Sequence, residues 1–448
     1  MVKIKTQGQR KREYMEILSL GEKIKRRRKE LNMTLKDLAG DRITPGQISL
    51  VESGKSNPSM DLLEYLALEL KTSIEYLMES EETQAEKICT YFENIAESYI
   101  INENLNQSEG YIDKALYYAE KYFLEYKKAR NLYLRGMVHM AKGEYPIAQQ
   151  FLLSASVIFI KDNRYEETIK TFVNLGKISK RLKAYYSSLS YFQQAETVYK
   201  GNNLGEDFLL AQIYYYIASV NFKLENIPEA INYSYLAKEK FRQMDNEKEY
   251  AKTLFLLAEE YKKRGDIDNA IKYSTRTLEV YRKLDDIVNI ANIENNLGKL
   301  FFEFDNVEES FIHLNKAKEL RLKLKDSNII ETLVNMCENY IKLKDITNSK
   351  KVLQEIMERV DEGNDRTLVY YYLLKFRIDM LESNKKEAEN TLISALGFVK
   401  NMDYTKEIGD ISIILGKFYI DNKRDKEAAK YLNEGVNIFK KIGILKEI

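Results

Sequence analysis

From about residue 84 to residue 440, apolar positions recur with helical spacing, and small residues return at a longer period superimposed on it. The anchors are Ala96, Gly136, Gly176, Ala218, Ala258, Gly298, Cys337, Phe376 and Gly416, with Phe376 the misfit in size. Their spacings are 40, 40, 42, 40, 40, 39, 39 and 40 residues. Twelve positions past each anchor stands a small residue, from Ser108 and Ala148 to Ala428. Nineteen past, the series from Ala115 and Ala155 to Gly435 is small at most steps. Each unit therefore predicts two antiparallel helices that cross closely at the small side chains. Nine such units fit. Pro146 and Pro228 stand ten past their anchors, fitting the first position of a second helix, where a missing N–H costs nothing. Gly143-Glu144, Gly265-Asp266 and Asp305-Asn306 mark turns, and Gly201-Asn202-Asn203-Leu204-Gly205, inside the 42-residue step, reads as a looser connection.

Ahead of this array lies a different pattern. Leu18, Leu20, Ile24 and Leu31 predict an amphipathic first helix with a basic outer face. Thr34 with Asp37 three residues on opens a short second helix. Thr44-Pro45 opens a third, running through Ile48, Val51 and Glu52 to Gly54. Asn57-Pro58-Ser59 turns into a fourth, Met60 to Leu70, and Thr72-Ser73 caps a fifth, Ile74 to Met78.

In order, spacing and capping residues this stretch resembles the phage-repressor-like (XRE) helix-turn-helix family over about residues 17–79. The matching residues are Leu20-Gly21, Ile24, Arg28, Leu38-Ala39, Ile48-Ser49, Val51-Glu52, Gly54-Lys55, Pro58-Ser59 and Leu62-Leu63. The turn Asp41-Arg42-Ile43 is about a residue shorter than usual. The resemblance implies a recognition helix from Thr44 to Val51 in the major groove of duplex DNA. Thr44, Gly46, Gln47 and Leu50 are then candidates for base edges, and Ser49 for base or phosphate. Gln47 competes for a second role, because Thr44 and Gln47 also make a capping box. Lys55 and Ser56 fall where the family grips phosphate, and Arg28 with Glu52 matches its structural ion pair. Arg10, Lys11 and Arg12 read as a basic arm, residues 1–16, ahead of the domain.

Charge distribution agrees with a head of this kind. Residues 1–60 hold 14 Lys+Arg against 7 Asp+Glu, although the whole chain of 448 residues carries a formal net charge of only +1. Four prolines and 19 glycines are too few for a β-sandwich or barrel of this length. Two cysteines, Cys89 and Cys337, cannot make a disulfide framework, and two histidines leave little for metal or His-based catalysis. No enzyme, metal or cofactor is expected. The most apolar stretch, Phe208 to Phe222, is too short and polar to span a bilayer, so a cytoplasmic protein without membrane contact is expected.

The periodic region, residues 80–448, resembles the tetratricopeptide repeat (TPR), whose 34-residue unit carries small residues at offsets of 12 and 19 from its own anchor. A period near 40 implies helices longer by nearly a turn each. The fold class is thus all-α: a five-helix XRE-type domain followed by a right-handed TPR superhelix of about nine helix pairs. In such repeats the first helices line a concave groove. Carried over by position, this places Asn174, Lys177, Asn292, Asn295, Asn296, Lys299, Asn335, Glu338 and Arg377 on it, as candidates for holding a peptide. Asparagine donates and accepts at once, so a ladder of asparagines clamps an extended backbone.

An XRE domain joined to long-period TPRs resembles the peptide-pheromone receptors of the Rap–Rgg–NprR–PlcR–PrgX family, NprR most of all. This implies a transcription regulator that binds an operator as a homodimer and is switched by a short signalling peptide. The alternatives are a TPR adaptor for a response regulator or other protein, with DNA binding secondary, and a phage-type lysis–lysogeny peptide receptor.

Overall fold

The computed structural model describes residues 15–202, 204, 205, 207–359 and 365–445. Arg10–Arg12 of the basic arm and Asn203 of the loose connection lie outside the described residues. Among them are twenty-three α-helices and no strand. Two compact units divide the chain, Met1–Glu225 and Asn226–Ile448.

The first unit opens with five short helices: α1 (Leu20–Glu30), α2 (Leu35–Ala39), α3 (Pro45–Glu52), α4 (Met60–Glu69) and α5 (Ile74–Met78). Ser19, Thr34, Ser59 and Ser73 each cap the helix that follows, their hydroxyls accepting a backbone N–H from its first turn. Ile24, Leu38, Ile48, Val51, Leu66 and Leu77 form the small core. Gly21 lets α1 cross α3, since a Cβ there would stand 2.5 Å from the carbonyl oxygens of Val51 and Glu52.

Glu79 ends α5 and Ser80 opens the next helix without a linker between them. Ser80 caps α6 (Glu81–Ile101) directly. From α6 the Gln84 amide reaches back, accepting from the Leu18 N–H at 3.1 Å and donating to the Leu18 carbonyl at 2.9 Å. Ile17 packs against Cys89, Phe92 and Tyr118 of the first repeat, and the Tyr118 hydroxyl donates to the Met15 carbonyl at 2.6 Å. The buried Lys23 ammonium is held by the carbonyls of Tyr76 and Glu79. Head and first helix pair are thus tied by these hydrogen bonds and by Ile17, while each keeps its own core.

The repeats of this unit continue with α7 (Leu105–Lys121), α8 (Glu125–Ala141), α9 (Tyr145–Lys161), α10 (Tyr165–Arg181), α11 (Tyr185–Gly201) and α12 (Asp207–Lys223). From α8 to α11 the arithmetic of the period is visible: 17-residue helices alternate with three-residue connections. The middle residue of each connection is left-handed, with φ of +79° at Gly143, +54° at Asn163 and +60° at Lys183. The helix then closes by paired turns, as where Lys183 N–H reaches the Lys180 carbonyl and Ala184 N–H that of Ser179. Most residues taking this strained conformation are not glycine, so composition alone gave little sign of these ends. Pro146 is at the second helical position of α9 rather than the first, one step from the sequence expectation. That position is equally free of an intrahelical N–H bond, so proline fits there too.

The second unit holds α13 (Ile227–Gln243), α14 (Glu247–Arg264), α15 (Ile267–Lys283), α16 (Ile287–Glu303), α17 (Val307–Leu324) and α18 (Ile329–Lys342). After these come α19 (Ile346–Glu358), α20 (Asp365–Leu381), α21 (Lys385–Asn401), α22 (Thr405–Asp421) and α23 (Asp425–Lys441). Pro228 again falls at the second position, of α13.

The anchor pattern now has a physical account. A Cβ on Gly176 would lie 2.6 Å from the Phe192 ring of the partner helix, so that helix packs where a side chain would otherwise be. Twelve residues on, serine donates its hydroxyl to the anchor's carbonyl: Ser108 to Ala96, Ser188 to Gly176 and Ser310 to Gly298, at 2.6–3.0 Å. Small size at both positions serves one close crossing. At Phe376 the anchor is a ring instead, and it lines a cavity of about 710 Å³ with residues of α18, α20 and α22.

Candidate functional site

Capping geometry explains what α3 presents to solvent. Ile48 and Val51 turn into the core, whereas Thr44, Gly46, Gln47, Ser49 and Leu50 are exposed, Leu50 at 47%. The Gln47 side-chain oxygen turns back to the Thr44 N–H at 3.0 Å and its hydroxyl at 3.2 Å, so the capping box is formed. With its oxygen engaged in this way, Gln47 in this rotamer offers solvent its amide nitrogen, and both amide atoms come free together only if the cap opens. Gly54, at φ +69°, ends the helix, and the Lys55 N–H closes on the Leu50 carbonyl. Lys55 and Ser56 follow, both exposed.

Arg28 and Glu52 fasten this helix to α1. Their ion pair is bidentate, 2.6 Å from Nε to Oε1 and 2.9 Å from Nη2 to Oε2, and Nη1 also donates to the Met33 carbonyl. The bond to Glu52 raises the Arg28 pKa above its ordinary value.

The asparagines expected on a groove fall into two groups. Asn174 is 6% exposed, and its amide nitrogen is committed to the Tyr133 hydroxyl at 3.0 Å and the Met137 sulfur at 3.2 Å. Asn295, 1% exposed, accepts from the Asn335 amide at 3.2 Å. The picture of an open asparagine ladder is corrected at these two positions. First helices pack so closely that amides from adjacent repeats bond to the neighbouring helix before a ligand can reach them. Asn292 and Asn296 do line a cavity of about 250 Å³ with Phe255, Tyr281 and Glu331. Asn335 is half-buried, and Lys299 is exposed. Lys177 lies over the Tyr216 ring at 5.0 Å. Glu338 and Arg377, paired at 3.1 Å, belong to the large cavity beside Phe376.

Several buried or half-buried charges are not singled out by motif, and three of them, Arg321, Glu260 and Lys180, share one signal. Arg321 stands 23 past its anchor, where other units carry Phe159, Tyr199, Phe241 or Tyr281. It is 2% exposed and donates to the Asn328 carbonyl, the Thr332 hydroxyl and Asn292 Oδ1 at 2.7–2.9 Å, with Glu331 3.6 Å away. Glu260 replaces the Val138, Ile178, Val220 and Leu300 of its repeat position, and Lys180 the Met140, Phe222 and Phe302 of another. A charge in an apolar column of the repeat is the signal. Both cysteines are buried, their thiols pushed up by burial to about 12, which makes them inert.

Residues 24–77 match the family model described as Helix-turn-helix, and residues 209–283 the one described as Tetratricopeptide repeat. The apo quorum sensor NprR from B. thuringiensis superposes with a TM-score of 0.57 at 16% identity, over 79% of this chain and 99% of that one. The chain thus shares its repeat fold with the solved NprR structure, and its helix-turn-helix and tetratricopeptide segments match two separate family models. "Transcriptional activator NprA" of Geobacillus stearothermophilus is 23% identical over 55% of this chain, which spans 62% of that relative's length. "Response regulator aspartate phosphatase E" of Bacillus subtilis (strain 168) is 23% identical over 68% of this chain and 75% of its own. Among the described residues, no helix is long and apolar enough to cross a membrane.

Proposed function

We propose that the protein is a cytoplasmic transcription regulator whose helix-turn-helix domain, residues 17–79, binds an operator. Residues 80–448 bind a short signalling peptide and pair two copies of the chain. The observation that carries this reading is the hydrogen-bonded junction between head and repeats: Gln84 binds the backbone at Leu18 and Tyr118 that at Met15, so a shift of the first repeat moves the head with it. In a homodimer the recognition helices would meet half-sites ~34–36 Å apart, and a peptide preferring one repeat conformation would alter that spacing.

Operator binding is expected to weaken steeply with salt, since Lys55 and its neighbours displace counterions from phosphates. A mobility shift that is unchanged between 50 and 200 mM salt, roughly a 10³–10⁵-fold expectation for 6–10 phosphate contacts, would refute phosphate gripping. Calorimetry of the full chain against synthetic peptides tests the receptor role. Asn296→Ala is expected to weaken peptide binding about fivefold with thermal stability unchanged, because its side chain makes no hydrogen bond among the described residues. A fall in melting temperature without loss of affinity would make Asn296 structural.

The likeness to a response regulator phosphatase over 68% of the chain favours a second reading, an adaptor that grips a response regulator. Capture of one by the full chain, undisturbed by Gln47→Ala and Lys55→Ala together, would select it. Both readings are non-enzymatic. Phage-type lysis–lysogeny control by peptide would use the same residues.

A further inference from the structure

Within the first unit, a cavity of about 630 Å³ opens at the C-terminal ends of α8, α10 and α12. That is a ligand-sized volume. Five cationic side chains line it, Lys177, Lys180, Arg181, Lys183 and Lys223, and there is no carboxylate among the described lining residues. Tyr216 forms part of the wall, its ring centroid 5.0 Å from the Lys177 ammonium and 6.0 Å from that of Lys180. Lys180 donates to the Ser219 hydroxyl across the gap between α10 and α12.

Helix ends attract lysine through their carbonyl dipoles, worth ~0.3–1 kcal/mol at an exposed site. That accounts for single cations at each end. It does not account for Lys180, which stands in an apolar column of the repeat and faces other cations. Lys262, the other lysine of that column, has Glu303 at 3.0 Å. Burial first, then Lys223 and Arg181, hold the Lys180 ammonium down at about 8. A bound anion would offset the repulsion among these cations and favour the charged ammonium.

We infer that this basic cavity is a carboxylate-binding subsite and that the peptide taken by the repeats is an acidic one, its carboxylate seated between Lys180, Lys223 and Arg181. The inference rests on the peptide-receptor reading above and adds the charge of the ligand. The carboxylate has two sources, an aspartate or glutamate side chain and the peptide's own C-terminus.

The test immobilises the full-length chain and exposes it to randomised heptapeptide pools. One pool fixes an aspartate at the central position and its match an asparagine, each made with free and with amidated C-termini. Mass spectrometry reads what is retained. Retention is expected to follow the carboxylate: lost in the asparagine pool if the side chain is the source, lost on amidation if the terminus is. Lys180→Met installs the residue that Met140 and Met380 supply at the same repeat position, so the fold should tolerate it. It is expected to cut retention of carboxylate-bearing peptides roughly tenfold or more, with Lys223→Met doing the same and the melting temperature not lowered. Equal retention of the amidated asparagine pool, or retention indifferent to Lys180→Met, overturns the acidic subsite while the receptor reading stands. Retention from no pool overturns the receptor reading and this inference with it.

Discussion

Alanine at Arg321 is expected to lower the unfolding free energy of the surrounding repeats by about 3–5 kcal/mol, the usual cost of removing one partner from a buried charged network. The guanidinium ties α16, α17 and α18 together through Asn292, the Asn328 carbonyl and the Thr332 hydroxyl. Its loss leaves those acceptors unpaired and strips the cation from Asp326, 3.8 Å away, and Glu331. Burial lowers the Arg321 pKa from its ordinary value, with Glu331 and Asp326 opposing that shift. Denaturant unfolding of the full chain measures the effect. Arg321→Lys should recover only part of it, because an ammonium cannot reproduce the planar fork. A change under 1 kcal/mol in the alanine variant would show that the network is incidental. The same variant should free Asn292, so its peptide affinity separates the supporting role of Arg321 from any direct contact.

Glu260→Gln is expected to stabilise the protein, and increasingly so as pH rises. The Glu260 carboxyl is fully buried on α14, accepts the Ser234 hydroxyl at 2.8 Å through one oxygen, and has no hydrogen-bond partner for the other. Burial pushes its pKa from 4.5 up to about 8. Between those values the folded chain keeps a proton that the unfolded chain has released. Stability contributed by this group is therefore full below pH ~4.5 and is lost progressively until pH ~8. Glutamine keeps the acceptor for Ser234 and cannot ionise. The variant should match the parent near pH 4 and exceed it by about 3 kcal/mol at pH 7, at about 1.4 kcal/mol per pH unit. Parallel pH profiles for the two proteins would mean that Glu260 is ionised and otherwise compensated.

How much of this was open to inspection in the chain itself varies by position. The helix-turn-helix was legible because its signals are local: Thr34, Thr44, Ser59 and Ser73 cap helices a few residues away, and a cap depends on little else. The repeat was legible because close crossings favour small residues, and eight of the nine anchors, all but Phe376, meet that demand. Pro146 and Pro228 were displaced by one step because two adjacent helical positions meet the same steric requirement. The inner face was harder. Position in the repeat put Asn174, Asn295 and Asn296 on one wall, but their availability depends on what the next helix offers. Tyr133 and Met137 claim Asn174, and Asn335 claims the oxygen of Asn295.

By itself, then, the sequence determined helices, their pairing and the order of the two parts, because capping and periodic packing act over a few residues or recur identically. Tertiary structure alone decided which polar groups are spent inside the protein and which face a cavity. It joined the head to the repeats through Gln84, and it gathered Lys177, Lys180 and Lys223 from two helices into one basic cavity. The reason is that desolvation and pairing are set by neighbours 26 to 66 residues away along the chain, and no local rule carries that information.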